Sequence, residues 1–195
     1  LSSLSQTEEG LLENFFENPG VRMEFHNRLY HRDVSIQQLI YEIRNQTSPS
    51  SCWLEEKLYE LMANLLRKET SLLRIQASLP ATKTSTRKEI LKRLILVTDY
   101  IHEHLQDDLS LEQLASVGCL SKFHFIRLFK IAFNKTPAQF VNDLRIRKGE
   151  QLIKNTRLEI HEIASQLGFS NPSSFSRMFY QHAGVYPTQF RRAVV

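Results

Sequence analysis

Apolar residues recur every three or four positions along most of this chain, which is the spacing of one face of an α-helix. The pattern predicts helices over about residues 35–45, 52–77, 86–105, 122–133 and 137–154. Helix-favouring Leu, Glu, Gln, Arg and Lys fill these stretches, and no alternating run of β-branched residues indicates a strand. We therefore predict an all-α fold.

The longest predicted helix carries a nearly continuous apolar stripe that must cover something. Its members are Trp53, Leu54, Leu58, Leu61, Leu65, Leu66 and Leu72. The stripe either packs within its own domain or joins two copies of the chain. A segment rich in Ser and Thr, with Pro80, follows at 79–85 and predicts a linker. We expect a helical regulatory or dimerisation region over 1–85, which includes an apolar cluster and a turn before residue 34, and a second domain over 86–195.

One sequence pattern occurs twice in the second domain, over residues 111–140 and again over 160–190. Matching positions lie 49 apart in the first part of the pattern and 50 apart in the later part, which places one extra residue in the second turn. The matched pairs include Leu114/Ile163, Ala115/Ala164, Arg127/Arg177, Phe129/Phe179, Pro137/Pro187 and Phe140/Phe190. A register kept through so many positions indicates a structural repeat.

Each copy predicts a short helix, a tight turn and a second helix. In the first copy, Ser110 and Gln113 have the spacing of a capping box, a turn follows at Gly118, and Ser121 is placed to cap the next helix. This arrangement is a helix-turn-helix, and its second helix can lie in the major groove of DNA.

A helix over 137–154 joins the two copies. Thr136 and Gln139 have capping-box spacing at its start, and Thr86 and Glu89 have the same spacing at the start of the helix before the first copy. At 1.5 Å per residue the joining helix spans roughly 27 Å. It can therefore hold the two units at about the 34 Å separation of successive major-groove faces.

The second helix of each copy has an apolar core face and an opposite, outward face. The predicted core residues are Phe125, Leu128, Phe129 and Ala132 in the first copy, and Phe175, Met178 and Phe179 in the second. The outward residues, together with the residue that precedes the second of these helices, form the predicted DNA-binding set. They are Lys122, Phe123, Ile126, Arg127, Lys130, Asn171, Ser173, Ser176, Arg177 and Tyr180.

Arg127 and Arg177 are the best candidates for reading bases, because a guanidinium can donate two hydrogen bonds to O6 and N7 of guanine. The alternatives are a phosphate contact or a structural ion pair. Phe123 and Ile126 suit contact with thymine methyl groups, unless they are buried against a neighbouring helix. Asn171 is expected to cap its helix, where free backbone N–H groups can also bind a phosphate.

The remaining outward residues carry less sequence information. Ser173 and Ser176 can bond to several base or phosphate groups, and Lys130 and Tyr180 are candidates for backbone contacts. Charge supports phosphates as partners: residues 86–195 carry 16 Lys and Arg against 10 Asp and Glu, a net of +6, whereas residues 1–85 carry 9 against 11, a net of −2.

Other classes of function find no support in the sequence. Cys52 and Cys119, too few for a disulfide scaffold, favour a reducing cytoplasm. No metal-ligand spacing, glycine-rich phosphate loop or nucleophile motif is present, so we predict no metal, no cofactor and no enzyme activity. No run approaches the roughly 18 apolar residues of a membrane span. Because the chain begins at Leu1 rather than Met, we expect upstream segments to precede it.

Residues 88–192 resemble the DNA-binding domain of the AraC/XylS family of bacterial transcription regulators. The resemblance is strongest in Ile163-Ala164-Ser165-Gln166-Leu167-Gly168-Phe169-Ser170, in Phe175-Ser176-Arg177-Met178-Phe179 and in Gly184-Val185-Tyr186-Pro187. It implies a transcriptional activator that contacts RNA polymerase. It also implies that residues 1–85 are the helical end of an effector-binding or dimerisation domain whose ligand-holding β-barrel is absent here.

Some positions depart from the family pattern. Gly149 stands where alanine is usual, and it is expected to loosen the joining helix by up to about 1 kcal/mol. Tyr180 replaces the usual lysine and Asn134 the usual glycine, although Asn134, like Gly184, is expected to end its helix in left-handed geometry. The resemblance also indicates that Arg145 is a structural ion-pair residue.

Our leading hypothesis is a sequence-specific regulator whose helices at about 122–133 and 172–181 enter successive major grooves. Since only the arginine is shared between their outward faces, we expect the unit at 110–133 to carry more of the base discrimination. The unit at 160–181 would then contribute more backbone anchoring. The rival hypotheses are a self-associating or ligand-responsive module, and an enzyme acting on DNA, for which no catalytic set is found.

Overall fold

The computed structural model describes residues 34–194, and the apolar cluster and turn predicted before residue 34 lie outside this range. The described part of the chain is all-helical, as predicted. Its helices are α1 Val34–Asn45, α2 Ser51–Ser78, α3 Thr84–Glu103, α4 Leu111–Val117, α5 Lys122–Phe133, α6 Pro137–Asn155, α7 Ile160–Gln166, α8 Pro172–Ala183 and α9 Pro187–Val194. No helix in this range combines the length and the apolar content that crossing a bilayer requires.

The chain divides into two compact units, residues 1–77 and 78–195. The division falls at the end of α2, earlier than the boundary expected after residue 85. Leu79, in the expected linker, is only 3% exposed, and α3 already begins at Thr84. Residues 79–83 of the expected linker lie between the two helices, and its last two residues belong to α3.

The first unit buries only part of the predicted apolar stripe. The buried apolar side chains described in α1 and α2 are Ile36, Leu39, Ala63, Leu66 and Leu72. Leu58, by contrast, is 50% exposed. Lys57 of α2 forms an ion pair with Glu42 of α1, with 2.9 Å between Nζ and Oε2, so a polar contact accompanies the apolar one.

In the second unit, α3 supports the first helix-turn-helix. Its buried side chains are Leu91, Leu94, Ile95, Val97 and Ile101. The capping box predicted at Thr86 and Glu89 is wrong. Lys83 occupies the cap position without a side-chain cap, and the Glu89 carboxylate instead accepts a 2.9 Å hydrogen bond from Nε of Arg93.

The joining helix α6 begins with the predicted capping box. Oγ1 of Thr136 accepts a hydrogen bond from the N–H of Gln139 at 3.3 Å, and Oε1 of Gln139 accepts one from the N–H of Thr136 at 2.9 Å. Farther along, α6 packs against α7, α8 and α9. The buried cluster there comprises Ile146, Ile153, Ile163, Ala164, Leu167, Phe175 and Phe179. The joining helix is thus part of the core of the second unit's later half rather than a bare spacer.

Gly149 lies where α6 meets the second helix-turn-helix. A Cβ atom at this position would lie 2.9 Å from Cε2 of Phe175 and 3.2 Å from Cδ1 of Leu167, two buried side chains. The absence of a side chain at Gly149 allows α8 to pack closely on α6. The sequence predicted only that Gly149 would loosen the helix, and not this packing role.

Candidate nucleic-acid interface

The turns of the two helix-turn-helix units follow the same backbone path. Cys119 in the first turn and Gly168 in the second both have left-handed geometry, with φ of 49° and 75°. The N–H of the residue after each one donates to the carbonyl of Ala115 or Ala164, at 3.0 Å in both cases. The second turn is longer by one residue before α8 begins, as the spacing of the repeat predicted.

An arginine from the preceding long helix holds each turn. Arg93 of α3 donates from Nη1 to the carbonyl of Cys119 at 3.1 Å. Arg145 of α6 donates from Nη1 to the carbonyl of Gly168 at 3.3 Å. The two contacts are analogous, and the sequence predicted neither of them because a backbone carbonyl leaves no mark in the sequence.

Arg145 also joins the two helix-turn-helix units. It donates from Nε to the carbonyl of Leu105 at 2.9 Å and from Nη2 to that of Asp107 at 2.7 Å, and its guanidinium lies 5.7 Å from the ring centre of Phe169. Burial lowers the pKa of Arg145, while the charges of Asp108 and Asp107 oppose that shift. Its hydrogen-bond acceptors are backbone carbonyls rather than the expected ion-pair carboxylates.

The helix α5 presents its apolar face to the core and its opposite face to solvent. Phe125, Leu128 and Phe129 are fully buried and Ala132 is 8% exposed. On the opposite face Phe123 is 85% exposed, so the alternative of burial against a neighbouring helix is excluded for it. Ile126 is half-buried, and Arg127 and Lys130 are exposed.

Arg127 and Arg177 occupy equivalent exposed positions on α5 and α8. Neither guanidinium forms a hydrogen bond or ion pair with another residue of the 34–194 range. The alternative of a structural ion pair therefore fails within this range at both positions. Each side chain is available to an external partner.

Lys122 differs from the other basic candidates because it already has a partner. Its ammonium forms an ion pair with the carboxylate of Glu112 on α4. The hydrogen bond from Lys122 holds the pKa of Glu112 below its ordinary value. Ser121, just before it, occupies the cap position of α5, but its side chain makes no cap hydrogen bond, so that prediction is wrong.

The start of α8 is capped as predicted. Oδ1 of Asn171 accepts a hydrogen bond from the N–H of Ser174 at 2.7 Å. Ser173 is exposed and Ser176 is half-buried. Phe175 and Phe179 form the buried face, while Met178 is only half-buried.

Tyr180, the last candidate on α8, stacks on an aromatic residue beyond the helix. Its ring centre lies 4.7 Å from that of Tyr186, with 29° between the ring planes, and Tyr180 remains 46% exposed. Between them lies Gly184, which ends α8 with φ of 74°, and Asn134 ends α5 with φ of 54°. Both helix ends have the predicted left-handed geometry.

Comparison with known proteins gives a consistent class. Residues 114–193 match the family model described as a helix-turn-helix domain. The chain is 36% identical over 98 residues to the probable transcriptional regulator LumQ of Photobacterium leiognathi, covering 50% of this chain and 40% of LumQ. It is 26% identical over 148 residues to the Msm operon regulatory protein of Streptococcus mutans, covering 76% of this chain and 50% of that protein.

A solved structure agrees with these relatives. The DNA-binding domain of AdpA, a global transcriptional factor crystallised with a target DNA, matches with a TM-score of 0.51 and 26% identity. The match covers 52% of this chain and 91% of that domain. Two helix-turn-helix units joined by a helix define a DNA-binding domain of the kind found in transcription regulators.

These comparisons agree with the sequence resemblance of residues 88–192 to the DNA-binding domain of the AraC/XylS family. The chain matches only 40% of the length of LumQ and half that of the Msm operon regulatory protein.

Proposed function

We propose that this chain is a sequence-specific DNA-binding transcriptional regulator in which α5 and α8 enter successive major grooves on one face of the duplex. The observation that carries the proposal is the pair of exposed guanidinium groups of Arg127 and Arg177, which have no partner among residues 34–194 and lie at equivalent positions of the repeat. A guanidinium in the major groove can donate two hydrogen bonds to guanine. At 19 residues, α6 is about 28 Å long, close to the separation that successive grooves require.

The two helices would contribute differently. On α5 the exposed ring of Phe123 and the half-buried Ile126 flank Arg127, and apolar groups there suit thymine methyls. On α8 the residues around Arg177 are Ser173 and Ser176, whose hydroxyls accept or donate to many groups. The unit built on α5 would therefore carry more of the base discrimination.

Phosphates would supply much of the affinity. Lys130 is exposed and can reach a phosphate as a point charge, whereas Lys122 must first leave or share Glu112. In the second helix-turn-helix unit, two groups are candidates for phosphate contacts. They are the backbone N–H groups at the start of α8, which Asn171 caps in part, and the hydroxyl of Tyr180.

Selection of bound sites from random duplexes, with the salt dependence measured on the selected site, tests this function. We expect two conserved half-sites about one helical turn apart, and a logarithmic affinity that falls linearly with the logarithm of the salt concentration. Recovery of no preferred sequence, or of a single short half-site, would contradict the proposed binding mode.

Self-association is a second candidate property, favoured by one observation on α2. Leu58 and Leu73 are 50% and 49% exposed, which leaves apolar surface for a second copy of the chain. Sedimentation equilibrium of the full chain, compared with a Leu58→Glu variant, tests this. A wild-type monomer at high concentration would count against a homodimer.

The remaining assignments follow from the family. We infer an activator that contacts RNA polymerase and responds to a small-molecule effector through a domain upstream of residues 1–85. A chromosomal DNA target places the protein in the cytoplasm. We assign it no catalytic activity, cofactor or metal. Transcription from a promoter that carries the selected site, with and without the protein, distinguishes activation from repression.

A further inference from the structure

The first recognition helix has a weaker local start than the second. Asn171 caps α8 with its side chain, whereas Ser121 at the start of α5 makes no such bond. Cys119, which directly precedes this start, adopts left-handed geometry at φ 49°, a conformation that costs a residue with a side chain more than it costs Gly168. Something besides the local sequence must hold the turn before α5.

Arg93 supplies that restraint. Its Nη1 donates to the carbonyl of the strained Cys119 at 3.1 Å, while its Nε donates to Glu89 one turn earlier on α3 at 2.9 Å. The guanidinium is thus fixed at both ends, and a planar fork with two partners holds one geometry better than a single flexible donor. Arg93 also lines an open groove together with Ser121 and His124, at the start of α5.

Two analogous hydrogen bonds support a shared role for Arg93 and Arg145. Each guanidinium reaches from the long helix before its helix-turn-helix to the carbonyl of the left-handed turn residue. Arg145 additionally bonds to Leu105 and Asp107, whereas the described hydrogen bonds of Arg93 stay within α3 and the first turn. The effect of Arg93 should therefore be confined to the first helix-turn-helix unit.

We propose that Arg93 is a positioning residue for DNA recognition: by holding the Cys119 carbonyl, it sets the orientation in which α5 presents Arg127 and Phe123 to bases. This inference rests on the proposed function. A reading helix must be held within about 10–20° of its productive orientation, so loosening the turn should reduce discrimination before it reduces general affinity for DNA.

Two measurements on the full chain test the proposal with Arg93→Ala. In hydrogen–deuterium exchange without DNA, the segment 119–125 should exchange faster and the segment 168–174 should not change. In binding assays, discrimination at the half-site read by α5 should fall about tenfold, as for loss of one charge-assisted hydrogen bond, while discrimination at the other half-site and the salt slope stay constant. Arg127→Ala and Arg177→Ala identify which half-site each unit reads.

Three variants serve as controls. Lys92→Ala removes one positive charge from an exposed neighbour of Arg93. Glu89→Gln removes the carboxylate charge but keeps an oxygen that can accept the hydrogen bond from Nε of Arg93, and it leaves the bond to Cys119 in place. Both should keep wild-type discrimination. Arg93→Lys retains a donor for the same carbonyl and should recover part of the discrimination that the alanine variant loses.

Several results would overturn the proposal. For Arg93→Ala, they are unchanged exchange over 119–125, an equal loss of discrimination at both half-sites, or a salt slope reduced by about one, as for a lost phosphate contact. For the controls, they are a Lys92→Ala or Glu89→Gln variant that is as impaired as Arg93→Ala, or an Arg93→Lys variant that recovers no discrimination. If the wild-type chain selects no duplex, the proposed function itself fails, and the exchange comparison still decides whether Arg93 holds the turn.

Discussion

Arg145 of α6 donates a 2.7 Å hydrogen bond from Nη2 to the carbonyl of Asp107, in the segment that leads into α4. The same guanidinium reaches the carbonyl of Gly168 in the second turn. A Cβ atom on Gly168 would lie only 2.4 Å from the carbonyl oxygen of Gln106, so the second turn lies directly against the segment before α4. One side chain and one close backbone approach therefore connect the two helix-turn-helix units in addition to α6.

We expect Arg145→Ala to lower the free energy of unfolding by about 2 to 4 kcal/mol, because three carbonyls lose a charged donor and the half-buried site admits water in partial compensation. Urea denaturation followed by circular dichroism measures this. Arg147→Ala, two residues along the same helix at an exposed position, should stay within about 0.5 kcal/mol of wild type. Equal effects of the two substitutions would show that the carbonyl contacts contribute nothing specific.

Arg127→Ala and Arg177→Ala should each weaken binding to the selected duplex by about 1 to 3 kcal/mol and relax preference at one base position. Both side chains are exposed and unpartnered within the described range, so stability should not change. Binding constants for duplexes altered one base pair at a time provide the measurement. If both variants lose the same affinity on every sequence, the arginines contact phosphates and do not read bases.

Two phenylalanines of α5 provide a matched pair. Phe123 is 85% exposed and Phe125 is fully buried. Phe125→Ala should destabilise the fold by about 3 to 5 kcal/mol, whereas Phe123→Ala should leave stability within about 0.5 kcal/mol. Thermal unfolding and DNA binding measured together separate the two effects. A Phe123→Ala variant that still prefers thymine at the same positions as wild type would rule out its methyl contact.

The sequence predicted best those interactions whose residues lie close together along the chain. The core face of α5, the capping box of Thr136 and Gln139, and the Asn171 cap depend on residues three or four positions apart, so their spacing in the sequence predicts them. The repeat register also predicted that the second turn is longer by one residue.

The interactions that the sequence did not predict involve residues far apart in the chain, or backbone groups that every residue has. Arg93 and Arg145 bond to backbone carbonyls that lie 23 to 40 residues away, and every residue has a carbonyl. Local spacing can also mislead. The Thr86 and Glu89 pattern implied a cap, but α3 starts earlier, and Glu89 pairs with Arg93 instead. Such choices depend on tertiary contacts that fix where a helix begins.

The two left-handed glycines should respond differently to alanine. Gly184 has φ of 74° with no atom within 4 Å of an added Cβ, so Gly184→Ala should cost only backbone strain, about 1 kcal/mol. Gly168→Ala adds a clash with the Gln106 carbonyl and should cost at least about 3 kcal/mol. Denaturation midpoints of the two variants decide between these values. Equal costs would mean that the segment before α4 moves away freely.

The pair of Lys122 and Glu112 predicts a substitution that strengthens DNA binding. In this ion pair, Glu112 neutralises the charge of Lys122 at the start of the first recognition helix. Glu112→Gln would release that charge for a phosphate. We expect affinity to rise for all sequences alike, and the salt slope to steepen by about one, as for one added phosphate contact. Titrations between low and moderate salt measure both quantities, and an unchanged slope would show that Lys122 does not reach the DNA backbone.

The pH dependence of this pair has a definite sign. Because the hydrogen bond from Lys122 lowers the pKa of Glu112 from its ordinary value of 4.5, the ion pair is fully formed above that value and is lost as the pH falls through the lowered one. At neutral pH, therefore, Glu112 competes with DNA for Lys122. A carboxyl NMR titration should place the Glu112 midpoint below 4.5 and return it towards 4.5 in Lys122→Ala. If the Glu112 midpoint is the same in Lys122→Ala as in wild type, the ion pair does not persist in solution. Glu112→Gln should then give no gain in DNA affinity.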